Sequence, residues 1–123
     1  MPLPLEGIRV IELGGAFAGP FAAGILARMG ADVIKVERPE GDDARGWGPP
    51  FWQGVSPAYL AMNSDKRGIT LDLKDPKDIG WLMDEVTRAD VLVHNMRPGV
   101  MDELGLGPDE IARLASAGVV ARA

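Results

Sequence analysis

Two short β-branched runs on either side of one helical stretch occupy the first 37 residues, and no other feature of the chain restricts its fold so far. Gly7-Ile8-Arg9-Val10-Ile11-Glu12-Leu13 is brief and bounded by glycines, as suits a buried strand, and Gly14-Gly15 ends it. From Gly19-Pro20 the spacing turns helical, with Ala22, Ile25, Leu26 and Met29 recurring on one face. Proline fits a first helical turn and glycine a C-terminal stop, so a helix is predicted from about Pro20 to Met29, closed by Gly30. Ala31 to Glu37 is a second strand. Two strands joined by so short a crossover lie parallel, in a right-handed βαβ unit.

The alternation continues. Residues 39–57 mix Gly, Pro and Asp with two tryptophans and no period, and are read as a long loop in which Trp47 and Trp52 pack. Ala58 to Asn63 suits a short helix, and Gly68 to Leu73 alternates as a strand. Asp75-Pro76 opens a helix with Ile79, Leu82, Met83 and Val86 on one stripe. A strand over Asp90 to His94, a helical turn about Val100 to Leu104, and a stripe at Ile111, Leu114 and Ala115 capped by Gly118 follow, and Val119-Val120 starts another strand. The whole reads as one α/β domain over residues 1–123 with a Rossmann-like, doubly wound, mostly parallel sheet. A sheet cut just inside a strand leaves an edge and an apolar face bare, so a fragment, or a domain completed by a partner chain, is expected.

Composition narrows the chemistry. The absence of cysteine excludes disulfides, thiolate metal sites and a Cys nucleophile, and the single histidine, His94, cannot build a His-rich metal site, so no metal is expected. A net charge of −5 gives no broad attraction to nucleic acid, and an anionic ligand needs a local basic cluster. No stretch nears the roughly 20 apolar residues that span a bilayer, and the start lacks a signal-peptide pattern. A soluble cytoplasmic protein, without a membrane partner, is the expectation.

Ligands of open α/β sheets bind beyond the carboxyl ends of the strands. After the first strand lies Gly14-Gly15-Ala16-Phe17-Ala18-Gly19-Pro20, whose small residues admit a ligand to backbone N–H groups that favour anions. Glu37 and Arg38 follow the second strand, Lys74 the third, and His94-Asn95-Met96-Arg97 the fourth. Arg38, Lys74 and Arg97 are thus expected on one rim. An NAD-binding Rossmann module remains an alternative, although Gly14, Gly15 and Gly19 do not match G-x-G-x-x-G. Purely structural turn glycines, solvated surface cations and a structural or exposed His94 are the plain alternatives.

In order and spacing, GIRVIEL, AGP, ILARMGADVIKVERPEGDDARGWGPPF, NSDKRGITLDLKDP and ADVLVHNMRPGVMDELGLG resemble the opening of family III (CaiB/BaiF-type) CoA-transferases over about residues 5–114. Relatives of that kind include formyl-CoA transferase, carnitine CoA-transferase and alpha-methylacyl-CoA racemase. The resemblance implies an N-terminal CoA-binding portion of an enzyme that moves coenzyme A between carboxylic acids, or of the racemase branch. It also implies acyl-CoA as substrate and a homodimer.

Carried over by position, the resemblance puts Ala16 and Phe17 beside the cofactor and Arg38 at its phosphates. Leu71, Asp72, Leu73 and Lys74 run along the adenosine, and Asn95, Met96 and Arg97 form a cradle after the fourth strand. The chemistry agrees, because coenzyme A carries a 3′-phosphate and a diphosphate that arginine can grip in pairs of hydrogen bonds. The family's nucleophilic aspartate matches a position beyond Ala123, so no catalytic residue is assigned here, and Asp42, Asp43, Asp65 and Asp72 match other positions. Glu103 stands where many relatives carry an arginine, and Ala115-Ser116-Ala117-Gly118 replaces a common Asn-Pro.

Overall fold

The structure, a computed structural model, describes residues 1–114 and 119–122. Strands β1 (Arg9–Leu13), β2 (Asp32–Glu37), β3 (Arg67–Thr70), β4 (Val91–His94) and β5 (Val119–Arg122) form one sheet in the order β3-β2-β1-β4-β5. Every neighbouring pair is parallel. The helices are α1 (Ala18–Arg28), α2 (Pro57–Asn63), α3 (Pro76–Arg88), α4 (Val100–Glu103) and α5 (Pro108–Leu114). The expected α/β alternation is therefore present, including the strand begun by Val119-Val120. The cap expected at Gly118 and the stripe position Ala115 lie outside the described residues. No helix among the described residues is long and apolar enough to cross a membrane.

Strand alternation divides the core in two. Ile11, Leu13, Ile34, Val36 and Leu92 pack with Leu82 and Val86 of α3, Met101 of α4 and Ile111 of α5. Of the expected α3 stripe, Leu82 and Val86 are buried, Met83 packs against them and Ile79 is half-buried; Asp75 caps the helix N-terminus by accepting the Lys77 N–H at 2.9 Å. On the opposite face Val10, Val33 and Val93 meet Ala23 and Ala27 of α1.

Here the periodicity reading needs correction. Ile25 and Met29 are exposed, while the small residues Ala23, Gly24 and Ala27 are buried. The reason is close packing: a Cβ on Gly24 would stand 2.6 Å from the Met62 carbonyl oxygen of α2, so this face of α1 tolerates only small residues. Strand β3 is also shorter than expected. Leu71 still donates its N–H to the Glu37 carbonyl at 2.9 Å, but at Asp72 the chain turns, with the Asp72 carboxylate accepting the Lys74 N–H at 3.0 Å.

The long loop is tied down by Glu37 at the end of β2. Its carboxylate accepts hydrogen bonds from the Asp42 N–H (2.8 Å), the Arg45 guanidinium (2.9 Å) and the Tyr59 hydroxyl (3.0 Å). Arg45 also lies over the Tyr59 ring, 4.1 Å from its centroid. The Arg45 hydrogen bonds hold the Glu37 carboxyl down to about 2, against the burial that would raise it. Burial, with the hydrogen bond to Glu37, pushes the Tyr59 hydroxyl up to about 12. The loop contains a 3-10 turn at Asp43–Gly46 and an antiparallel bridge between Trp52 and Val55. Trp47 and Trp52 are less covered than packing residues would be, at 40% and 61% exposed.

Two outcomes are expected. Gly24→Ala should lower unfolding stability by about 1–3 kcal/mol through overpacking, opposite in sign to the gain usual in an open helix; a urea midpoint at or above wild type would contradict the packing described. Glu37, depressed from 4.5 to about 2, contributes stability that is full above pH 4.5 and lost as pH falls towards 2. Over that window Glu37→Gln should remove on the order of 2–3 kcal/mol of pH dependence, a range reduced for the half-exposed Arg45. Chemical denaturation as a function of pH reads this, and superimposable profiles would disprove it.

Candidate functional site

A cavity of about 520 Å³ opens at the carboxyl ends of β1, β2 and β4. The strand order places the reversal of winding between β1 and β4, which is where ligands of such sheets are received. It is lined by Leu13, Gly14, Gly15 and Ala16 after β1, and beside them by Val36, Glu37 and Arg38 with Asp42 and Asp43. Leu71 and Leu73 add an apolar side, and Asn95, Met96, Arg97 and Val100 close the remainder.

The glycine loop is held from both sides. Asn95 accepts the Gly15 N–H at 3.2 Å and donates to the Gly15 carbonyl at 2.6 Å. A Cβ on Gly14, which has φ +109°, would fall 1.9 Å from the Asn95 Oδ1, so no side chain fits there. From below, Asp42 accepts the Ala16 N–H at 2.8 Å, and Ala16 itself adopts φ +65°, a left-handed conformation uncommon for alanine. The amides of Gly15 and Ala16 expected to greet an anion are thus already bonded within the protein.

Below the loop lies a buried charge cluster. Lys35 donates to Asp42 at 2.9 Å and stands 3.6 Å from Glu12, its neighbour across the β1/β2 register. Lys66 donates to both Glu12 oxygens (3.1 and 3.0 Å), to the Pro20 carbonyl and to the Asn63 side chain (2.8 Å each). All four charged side chains are 2% exposed or less. Burial lowers the Lys66 ammonium, although Glu12 works the other way. Burial would raise the Asp42 carboxyl, but the Lys35 ammonium and the amides of Ala16 and Ala44 together hold it below its ordinary value.

Of the residues singled out from sequence, Ala16, Arg38, Leu71, Leu73, Asn95, Met96 and Arg97 line this cavity, whereas Phe17, Asp72 and Lys74 do not. Phe17 is exposed and stacks on Phe21, with ring centroids 5.3 Å apart. Asp72 and Lys74 sit in the exposed turn after β3. Two of the three expected cations therefore share the cavity. Arg38 donates to the Gly41 carbonyl at 2.8 Å and pairs with Asp43. The Arg97 guanidinium has no partner among the described residues and is exposed. Glu103 is exposed on α4 and outside the lining, and the His94 ring accepts the Met96 N–H at 3.3 Å.

Asp42 and the cluster beneath it were not picked out from sequence, although a signal existed. Glu12 and Lys35 interrupt two otherwise apolar strands, and parallel strands buried on both faces seldom carry unpaired charge.

The model of CoA-transferase family III matches residues 5–122. Succinyl-CoA:glutarate CoA-transferase of Mus musculus is 44% identical over 91% of this chain, and succinate–glutarate CoA-transferase of Agrobacterium fabrum is 49% identical over 84%. The crystal structure of a CaiB/BaiF family protein from Brucella suis superposes with a TM-score of 0.87 at 38% identity, over 94% of this chain and 32% of that one. The chain spans 26% and 28% of the length of the two curated relatives. It belongs to CoA-transferase family III and corresponds to the N-terminal part of the family's proteins.

Proposed function

We propose that this chain is the coenzyme A-binding portion of an acyl-CoA:carboxylate CoA-transferase, with residues 1–123 as an N-terminal CoA-binding domain. The observation that carries the reading is the cavity at the sheet's switch point, with Arg38 and Arg97 on it and an apolar side at Leu71 and Leu73. Guanidinium groups suit the phosphates of coenzyme A, and the small-residue wall of Gly14 to Ala16 suits its extended arm. The named relatives act on succinyl-CoA with glutarate or on succinate and glutarate, which favours transfer between carboxylic acids over the racemase branch. A dinucleotide site is disfavoured because Gly14, Gly15 and Gly19 do not match G-x-G-x-x-G and the Gly15 and Ala16 amides are occupied by Asn95 and Asp42.

Phe17, Asp72 and Lys74 belong to the proposed ligand surface only at its periphery. None of the four aspartates considered is poised for acyl attack. Asp42 is saturated by donors, Asp43 pairs with Arg38, Asp72 holds a turn, and the exposed Asp65 has φ +68°. None of them is assigned the covalent intermediate by which such transfer is divided into easier steps. The homodimer implied by the family resemblance, and the cytoplasmic placement expected from the sequence, form part of the same proposal.

Calorimetric titration with coenzyme A and with NAD tests the reading. Coenzyme A should bind and NAD should not. Arg38→Ala should weaken coenzyme A by about 10–100-fold, as expected for loss of a charged hydrogen bond. Asp43→Asn, which keeps an acceptor oxygen for Arg38, should strengthen it by about 2–5-fold by removing a negative charge that competes with the ligand. No binding of coenzyme A, or tighter binding of NAD, would overturn the proposal.

A further inference from the structure

We propose that Asp42 is the positioning residue of the cavity, a buried latch that sets the spacing between the glycine loop and the arginine rim. Its two oxygens serve different masters. Oδ1 accepts the Ala16 N–H (2.8 Å) and the Ala44 N–H (2.9 Å), while Oδ2 accepts the Lys35 ammonium (2.9 Å). Ala16 belongs to the glycine loop that lines the cavity, Ala44 to the 3-10 turn that also carries Asp43, and Asp43 pairs with Arg38, which lines the cavity too. Lys35 is anchored in the middle of β2. One carboxylate therefore joins the sheet, the loop that walls the cavity and the turn that holds its cation.

A simple core ion pair would not need this arrangement. Lys35 already has Glu12 nearby, and Asp42 commits one oxygen wholly to two backbone amides, one in the glycine loop and one in the 3-10 turn. The contacts also compensate for the left-handed backbone at Ala16, a conformation that persists only where surroundings impose it. Gly15 fits the same geometry: a Cβ there would stand 2.9 Å from the Asp42 Oδ1. With Asn95 holding Gly15 from the other side, the loop is fixed at two successive residues and the Gly15 and Ala16 amides are engaged within the protein. The latch selects for a ligand whose phosphates reach the arginines and whose arm slides past the loop.

The consequence for affinity rests on the coenzyme A reading, but the latch itself does not, and the test separates them. The single change Asp42→Ala would strand a buried ammonium and confound folding with function. Two double variants keep the cluster neutral: Lys35→Met with Asp42→Asn retains an acceptor oxygen, and Lys35→Met with Asp42→Ala removes it. Thermal melts, exchange of the Ala16 amide with deuterium, and coenzyme A titration are compared between the two.

The expected result is at least 100-fold faster Ala16 exchange and about tenfold weaker coenzyme A binding in the alanine double than in the asparagine double, with the global melting temperatures alike. Equal Ala16 exchange in the two doubles would overturn the latch. Faster exchange with no coenzyme A binding by any form, wild type included, would support the latch and sink the coenzyme A reading instead. If the alanine double does not fold, Gly15→Ala displaces Asp42 by contact alone and should accelerate Ala16 exchange in the same way; unchanged protection there would equally overturn the proposal.

Discussion

Four charged side chains share a space from which water is almost wholly excluded, and their mutual neutrality is the condition for the rest of the structure. Glu12 and Asp42 supply two negative charges, Lys35 and Lys66 two positive ones. Removing one partner from such a set typically costs about 3–5 kcal/mol, because the group left behind keeps its desolvation penalty. The cluster is not an isolated pair but a junction. Through Lys66 it reaches the Pro20 carbonyl in α1 and Asn63 at the end of α2, and through Asp42 it reaches the glycine loop and the 3-10 turn. The small-residue face of α1 follows from this placement. A helix packed over a sheet whose inner positions hold Glu12 and Lys35, and crossed closely by α2 at Gly24, leaves room for Ala23 and Ala27 but for nothing larger.

Placed on that junction, the cavity acquires a division of labour. Its negative groups have donors: Glu37 is bonded to Arg45 and Tyr59, and Asp42 to Lys35 and two amides. Its positive groups lie outward, Arg38 held only by surface contacts with Gly41 and Asp43, and Arg97 exposed. Surface pairs are worth about 0–1 kcal/mol, so Arg38 can be given up to a ligand at little cost. A chain of net charge −5 can in this way offer an anion two available cations while its acids remain engaged elsewhere.

Much of this was legible from sequence, and the parts that were not share a cause. Strands β1, β2 and β4 and helix α3 announce themselves through local pattern, as do the positions of Arg38, Asn95 and Arg97 at strand ends, because periodicity and topology are enough to locate them. The outward turn of Ile25 and Met29 was hidden, since it depends on how closely α2 approaches α1 and not on the helix itself. Lys74 likewise looked equivalent to Arg38 in the alternation, yet β3 ends at Thr70 and the turn at Asp72 carries the lysine away from the cavity. The role proposed for Asp42 rests on its contact with Ala16, 26 positions earlier, which no local window reveals, although the charge of Lys35 inside β2 signalled that a buried partner was required.

The same strand order serves dinucleotide enzymes, and the comparison of physical requirements explains why shared topology need not mean shared ligand. A dinucleotide loop keeps its amides free so that a diphosphate can complete them. Here the Gly15 and Ala16 amides are bonded internally, to Asn95 and to Asp42. What the loop retains is its lack of side chains, which makes it a wall to slide along rather than a cradle. On the coenzyme A reading proposed above, anion recognition falls to side chains at the rim, and arginine, with its paired donors, is the residue type suited to it.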